Sequence, residues 1–312
     1  RIGDVPAVGE YFDDFSTIPL DVDGDGYTDF VTGGFFGGEL RWKRNPAGQR
    51  DAEWETRPFA QPGNIETTKG WDVDGDGVIE IVPNTPGGPQ RVYKLVTGPD
   101  GRGTGEFREH VIYTPAEGGT GHGIGCGDLA GQGRADIVLH NGWLECPPDP
   151  LGGEPWAFHA EFDLGSASCP GREVDVGGDG LTELIVGQAQ GEGRGWYQQD
   201  LHNSQYHDMI WADIDGDGLP ELITGKRYRA HCGRDPGSAD PVGLYYFQWT
   251  GEAFSKQVID FGGPRHGAGC GIYFDVADLS GTGRLDVLAP GKDGLYLYSN
   301  LGPGEGRGQR AG

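Results

Sequence analysis

Two histidines and a glutamate occupy one shared position of a repeated phrase. Six times the chain writes an acidic residue, a glycine-rich turn, a second acidic residue eight positions on, and an apolar run. The copies begin at Asp21 (DVDGDGYTD), Asp72 (DVDGDGVIE), Asp128 (DLAGQGRAD), Asp175 (DVGGDGLTE), Asp213 (DIDGDGLPE) and Asp278 (DLSGTGRLD). Six residues before each first aspartate stand Phe15, Glu66, His122, Cys169, His207 and Ile272. Equivalent positions of a blade-by-blade repeat converge around one axis. Glu66, His122 and His207 are therefore candidate ligands of a single transition metal. Two imidazoles and a carboxylate suit a catalytic zinc with an open position.

The phrase itself carries a second chemistry. In a D-x-D-x-D-G-x-x-[DE] loop, side chains at positions one, three and five, a carbonyl at seven and a carboxylate at nine surround one hard cation. The glycine at six permits the sharp turn. Three copies are complete: Asp21, Asp23, Asp25 and Asp29; Asp72, Asp74, Asp76 and Glu80; Asp213, Asp215, Asp217 and Glu221. A fourth, Asp175, Asp179 and Glu183, has Gly177 at position three. Calcium is expected in the three complete loops, with the fourth a further candidate, as a staple for each hairpin. The Asp128 and Asp278 copies keep only positions one and nine, so the turn is expected to survive without an ion.

Elements follow from this punctuation. The copies are 51, 56, 47, 38 and 65 residues apart. Between the turns lie short apolar, β-branched or aromatic runs: LRW, IEIVP, ADIVLH, TELIVG, PELITG and LYLYSN. These read as strands, and no sustained helical period appears. A period near this length, built of short strands, marks an all-β protein of the β-propeller class. The loops resemble those of FG-GAP or VCBS repeats. That resemblance implies a single propeller over residues 1–312, with seven blades expected although six repeats are visible. It also implies that each loop joins the first and second strands of a blade. The start of the first strand and the loop between strands two and three then share the opposite face.

Other residues expected on that face are polar or aromatic. They include His140–Glu145, the run Lys226, Arg227, Tyr228, Arg229, Ala230 and His231, and the segment from Arg265 to Tyr273. Trp143, Tyr206, Tyr228 and Tyr273 offer aromatic faces to a sugar, although a lone tryptophan such as Trp143 more simply fills space between blades.

Bulk composition narrows the field. The 312 residues carry 24 Lys and Arg against 48 Asp and Glu, for a net charge of −24. Nineteen of those acids lie in the six loops, so bound cations would neutralise much of the charge. A duplex-binding surface needs the opposite sign, so nucleic acid is not an expected partner. No apolar run is long enough to span a membrane. The five cysteines form no CxxC pair. Neither a G-x-S-x-G elbow nor a phosphate-binding glycine loop is present, which leaves serine hydrolase and nucleotide readings unsupported.

The segments GNIETTKGWDVDGDG, GHGIGCGD, HNGWLE, NSQYHDMIWADIDGDG, GKRYRAHCGRDPG and GIYFDVADLSGTGRLDVLAPGKDGLYLY together resemble a group of bacterial VCBS-repeat proteins. That group is similar to the propeller domain of fungal aldos-2-ulose dehydratase. The fungal enzyme also carries cupin domains, to which nothing in this chain corresponds. The resemblance implies metal-assisted elimination of water, or of a glycosyl group, from a keto-sugar such as 1,5-anhydrofructose. Zinc on the ketone oxygen would stabilise the enolate left by loss of the adjacent C–H proton. His122 and His207 are the expected ligands or base, and Tyr206, Asp208 and His231 the next candidates for proton transfer. Arg227 and Arg229 would orient substrate hydroxyls or a carboxylate. The alternative is a calcium-stabilised carbohydrate-binding or adhesion propeller without catalysis. Either way the expected partner is a sugar or oligosaccharide.

Overall fold

A computed structural model describes residues 4–49, 51–164, 167–176, 183–188, 206–234, 237–263, 267–291 and 294–302. The fold is all-β and of the β-propeller class, built from consecutive antiparallel meanders. By contact density the chain divides into two compact units, Arg1–Glu173 and Val174–Gly312.

The first unit opens with the short pair β1 (Ala7–Val8) and β2 (Tyr11–Phe12). Three four-stranded sheets follow. The first holds β3 (Ile18–Leu20), β4 (Asp29–Gly33), β5 (Leu40–Arg44) and β6 (Glu55–Ala60). The second holds β7 (Thr67–Trp71), β8 (Glu80–Asn84), β9 (Gln90–Thr97) and β10 (Gly103–Tyr113). The third holds β11 (Gly125–Gly127), β12 (Asp136–Leu139), β13 (Gly142–Glu145) and β14 (Ala157–His159).

In the second unit, β15 (Ala167–Val174) pairs with β16 (Glu183–Gln188). A four-stranded sheet follows: β17 (Tyr206–Ala212), β18 (Glu221–Lys226), β19 (Val242–Trp249) and β20 (Phe254–Gly262). The last sheet has three strands: β21 (Asp275–Ala277), β22 (Asp286–Gly291) and β23 (Gly294–Tyr298). Among the described residues the one helical turn is 3-10, at Ala230–Gly233.

The expectation of seven blades is corrected. Five sheets among the described residues form blades, and the Asp175 copy contributes the β15–β16 pair. The sequence holds six copies of the loop, one for each of these six sheets. The β1–β2 pair is too short to serve, with Val8 and Phe12 exposed and no apolar side chain of its own in the core.

Burial explains why these runs are strands. The second strand of a blade is covered on both faces, so β8, β12 and β18 are buried at every position. The outer strand β10 instead alternates over much of its length, as a half-exposed strand does. Side chains of neighbouring sheets interlock. Ile18, Val31, Leu40 and Trp42 of the first sheet pack with Ile81, Tyr93 and Leu95 of the second. Val82 and Val92 pack with Ile137 and Leu144 of the third. Ile137 is fully buried, so Ile137→Val removes one methylene from a close-packed seam. The expected cost is about 0.5–1.5 kcal/mol, read as a lower urea midpoint at unchanged slope. An unchanged midpoint would show that the seam is loosely packed.

Candidate functional site

The repeated loop is held by two carboxylates. The position-one aspartate accepts the N–H of the glycine at six: Gly26 to Asp21 (2.9 Å), Gly77 to Asp72 (2.9 Å), Gly133 to Asp128 (2.6 Å), Gly218 to Asp213 (3.0 Å) and Gly283 to Asp278 (2.8 Å). The position-nine carboxylate accepts the N–H of position two: Val22 to Asp29, Val73 to Glu80, Leu129 to Asp136, Ile214 to Glu221 and Leu279 to Asp286, at 2.8–3.1 Å. These are the two positions that the degenerate copies keep. The turn therefore closes on its own hydrogen bonds, with glycines at positions four and six of the described loops at positive φ.

What the degenerate copies lack is the metal-like cluster. Ligand atoms of Asp21, Asp23 and Asp29, of Asp72, Asp74 and Glu80, and of Asp213, Asp215 and Glu221 lie within 4.8 Å of one another in each complete loop. The position-five residues Asp25, Asp76 and Asp217 each cap a backbone N–H two residues on. The donor set fits a hard cation. Asp21 Oδ1, Asp23 Oδ1, Asp74 Oδ1 and Glu80 Oε1 are buried and make no hydrogen bond. Burial pushes Glu80 up to about 6, with Asp74 adding to the rise. Burial and then the charges of Asp215, Asp217 and Asp213 push Glu221 up to about 7. Burial is the larger cause of both shifts, and Lys94 partly offsets the rise at Glu80. Of the fourth loop, Asp175 is described, while Asp179 and the Glu183 side chain lie outside the described residues.

At the other end of the first strands, two of the three register residues meet. His122 Nε2 lies 2.8 Å from Glu66 Oε1; the glutamate side chain is 16% exposed and the histidine 44%. His122 Nδ1 is buried without a hydrogen bond. The pair is positioned by Asn84, the last residue of β8, which is fully buried. Its backbone carbonyl accepts Glu66 N–H (3.0 Å), its Oδ1 accepts Gly123 N–H (2.8 Å), and its Nδ2 donates to Gly121 O (3.1 Å). Thr120 Oγ1 donates to Thr85 O at 3.0 Å, so the segment before His122 is stitched to the β8–β9 loop. Gly121 is at φ 74°, and a side chain there would strike the His140 ring.

A cleft of about 330 Å³ is lined by residues close in sequence to Glu66 and Asn84. Phe35 forms one wall, Pro62, Gly63 and Asn64 another, and the β8–β9 loop from Thr85 to Gly88 the third. Phe35 belongs to an aromatic group in which it packs on Phe36 (5.4 Å between ring centres) and Phe15 (6.5 Å), with Tyr11 5.3 Å from Phe36. Phe15 occupies the first blade's copy of the register position. The aromatic group and the Glu66–His122 pair thus begin at equivalent points of consecutive blades.

The remaining sequence candidates have surroundings of their own. Trp143 is 6% exposed, stacks on His159 (4.3 Å) and donates to Glu161 Oε2 (3.2 Å), so it fills space as a structural residue. Asp208 is 4% exposed; its Oδ2 accepts Phe274 N–H (3.2 Å) and its carbonyl accepts the Thr224 hydroxyl (2.7 Å). Asp208 thus ties β17 to its neighbour β18 and to the residue before β21. Tyr206 is half-buried, with its ring 6.3 Å from Tyr245. Arg227 is buried, while Arg229 is exposed with φ 51° and its N–H on Ser238 O. The side chains of His207 and His231 lie outside the described residues. Sequence reasoning missed Phe35, Asn64, Thr85 and Asn84. Only the GNIE segment hinted at the loop that carries Asn64.

No protein-family model matches the chain, and no curated protein matches it. Solved structures do. A lectin of Agrocybe aegerita, described as recognising non-reducing terminal N-acetylglucosamine, is 17% identical with a TM-score of 0.57. The match covers 94% of this chain and 78% of the lectin. The biofilm matrix protein Bap1 of V. cholerae is 18% identical with a TM-score of 0.38, over 78% of this chain and 38% of Bap1. At these identities the likeness is one of fold.

Proposed function

We propose that this chain is a calcium-stabilised carbohydrate-binding propeller of the VCBS/FG-GAP type, with its sugar site in the Phe35–Asn64–Thr85 cleft. The cleft itself carries the reading. It is at the small end of the size range of ligand sites. It pairs an aromatic wall, suited to the apolar face of a pyranose, with the Asn64 amide and several backbone groups to read sugar hydroxyls. Asn64 precedes Glu66 by two residues, and Thr85 follows Asn84, whose amide holds the His122 segment. The lectin of like fold makes N-acetylglucosamine-terminated glycans the first ligands to test.

The expected result is saturable binding of such a glycan by calorimetry, weakened about tenfold or more by Phe35→Ala and by Asn64→Ala. Binding that survives both substitutions unchanged would place the sugar elsewhere.

A second reading is elimination from a keto-sugar, and the Glu66–His122 contact favours it. An imidazole and a carboxylate 2.8 Å apart form a unit that can take a proton from carbon and pass it on. Alternatively, Glu66 and His122 would supply two ligands to a zinc or similar ion, which when bound would act as a Lewis acid on the ketone. New ultraviolet absorbance on incubation with 1,5-anhydrofructose, lost in His122→Ala, would support this reading. Its absence from protein shown to contain the metal would leave sugar binding alone.

A further inference from the structure

The three complete loops differ in what faces them. Strand pairing sets one residue of the third strand opposite each position-nine carboxylate. The registers Phe30 with Lys43, Ile81 with Tyr93, and Leu222 with Phe247 place Arg44 across from Asp29, Lys94 across from Glu80, and Gln248 across from Glu221. Each side chain reaches over the turn. Arg44 bonds Asp23 through Nε, and its Nη2 lies 3.0 Å from Asp25 Oδ2. Lys94 Nζ lies 2.5 Å from Asp74 Oδ2, 2.6 Å from Asp76 Oδ2 and 3.4 Å from Glu80 Oε1. Gln248 Nε2 donates to Asp215 Oδ2 at 2.5 Å and brings no charge.

We infer that Arg44 and Lys94 are tethered counter-cations that weaken calcium binding in their own loops, leaving the Asp213 loop as the tightest calcium site. The inference rests on the calcium reading above and assigns its order of filling. Each loop holds four carboxylates. The first two already contain one positive charge at contact distance from the ligand oxygens, so an arriving cation must displace it or endure it. At a few ångströms even a partly screened unit charge alters a divalent ion's binding by an order of magnitude or more. In the Asp213 loop, Glu221 is 2% exposed. One of its oxygens accepts Ile214 N–H at 2.9 Å. It belongs to the cluster with Asp213 and Asp215, and among the described residues no lysine or arginine forms an ion pair with it. A buried carboxylate clustered with two others is a donor set that suits a divalent cation. The degenerate copies show the complement: where positions three and five lose their acids, the third strand carries Glu145 and Ser299 in place of a cation.

The test is calcium titration of the chelator-stripped full chain by calorimetry, with hydrogen-exchange mass spectrometry assigning each step to a loop peptide. In the unmodified protein, protection is expected first in the 213–221 peptide, at calcium about tenfold or more below that protecting 21–29 and 72–80. Arg44→Gln and Lys94→Gln are each expected to tighten calcium about tenfold or more in their own loop and no other. Gln248→Lys is expected to weaken the Asp213 loop by a similar factor. Lys94→Met, which keeps the apolar stem, guards against a variant that fails to fold. Three loops filling together, with the charge variants changing nothing, would overturn the order while leaving calcium in place. No calcium uptake by any of these proteins would overturn the calcium reading and the order with it.

Discussion

Asn84→Ala is expected to lower stability by about 2–4 kcal/mol and to abolish sugar binding at the Phe35–Thr85 cleft. Asn84 has no surface exposure and spends both ends of its amide on the segment that carries His122. Truncation leaves the Gly123 N–H and the Gly121 carbonyl without their partner in a site closed to water. Each such orphan costs about 1–3 kcal/mol. The loss would also release residues 120–123 from β8, so His122 would no longer be held against Glu66. Urea unfolding measures the first effect and calorimetric glycan titration the second. Asn84→Asp separates them further: its carboxylate still accepts from Gly123 but has no hydrogen to give Gly121, and it buries a charge. A change under about 0.5 kcal/mol with binding intact would show that the His122 segment is held by other contacts.

Chelation is expected to lower the thermal midpoint by about 5–10 °C at pH 8. One ion at a hundred times its dissociation constant contributes about 2.7 kcal/mol, and weaker loops add less. For a chain of this length each kcal/mol moves the midpoint by a few degrees. The pH dependence gives the sharper signature. Glu80 at about 6 and Glu221 at about 7 are both raised by burial above the carboxylate value of an unfolded chain. A carboxyl raised in the folded state favours folding when protonated. Stability of the metal-free protein is therefore expected to rise as pH falls from 8 through 7 and 6 toward 5. The net charge of −24 pushes the same way. Calcium competes with those protons, so its stabilising effect should shrink over the same range. Melting curves at pH 5.5 and pH 8, with calcium and with chelator, give all four corners. A metal-free midpoint that rises with pH would sink this account.

The repeat and its loops were legible because local rules govern them. Glycines at positive φ and the paired carboxylates at positions one and nine act within nine residues, so their spacing survives in the sequence. The same regularity made the contact of Glu66 with His122 legible, since both are set by counting back from a loop. The cleft was not legible. Phe35, Asn64 and Thr85 come from irregular connections whose approach depends on how sheets stack, and no period marks them. Asn84 looks like any strand-end residue until its amide is seen bridging two blades. Arg44 and Lys94 were hidden for another reason: their role depends on strand register, which places them over acids about 20 residues away in sequence. Trp143 was ambiguous by composition alone; its stacking on His159 decides for packing.

The carbonyl at position two of three loops is taken by the sheet that follows. Gly105 N–H reaches Val22 O (2.8 Å), the Cys146 thiol faces Val73 O (4.0 Å), and Asn300 Nδ2 reaches Ile214 O (2.7 Å). Each turn is thereby latched by its downstream neighbour. Loss of one sheet frees the turn before it, which weakens that sheet in its own right. Within each unit, neighbouring sheets are thus coupled at their turns, and the loss of either one strips the other of a bond, as with overlapping tiles that share a nail.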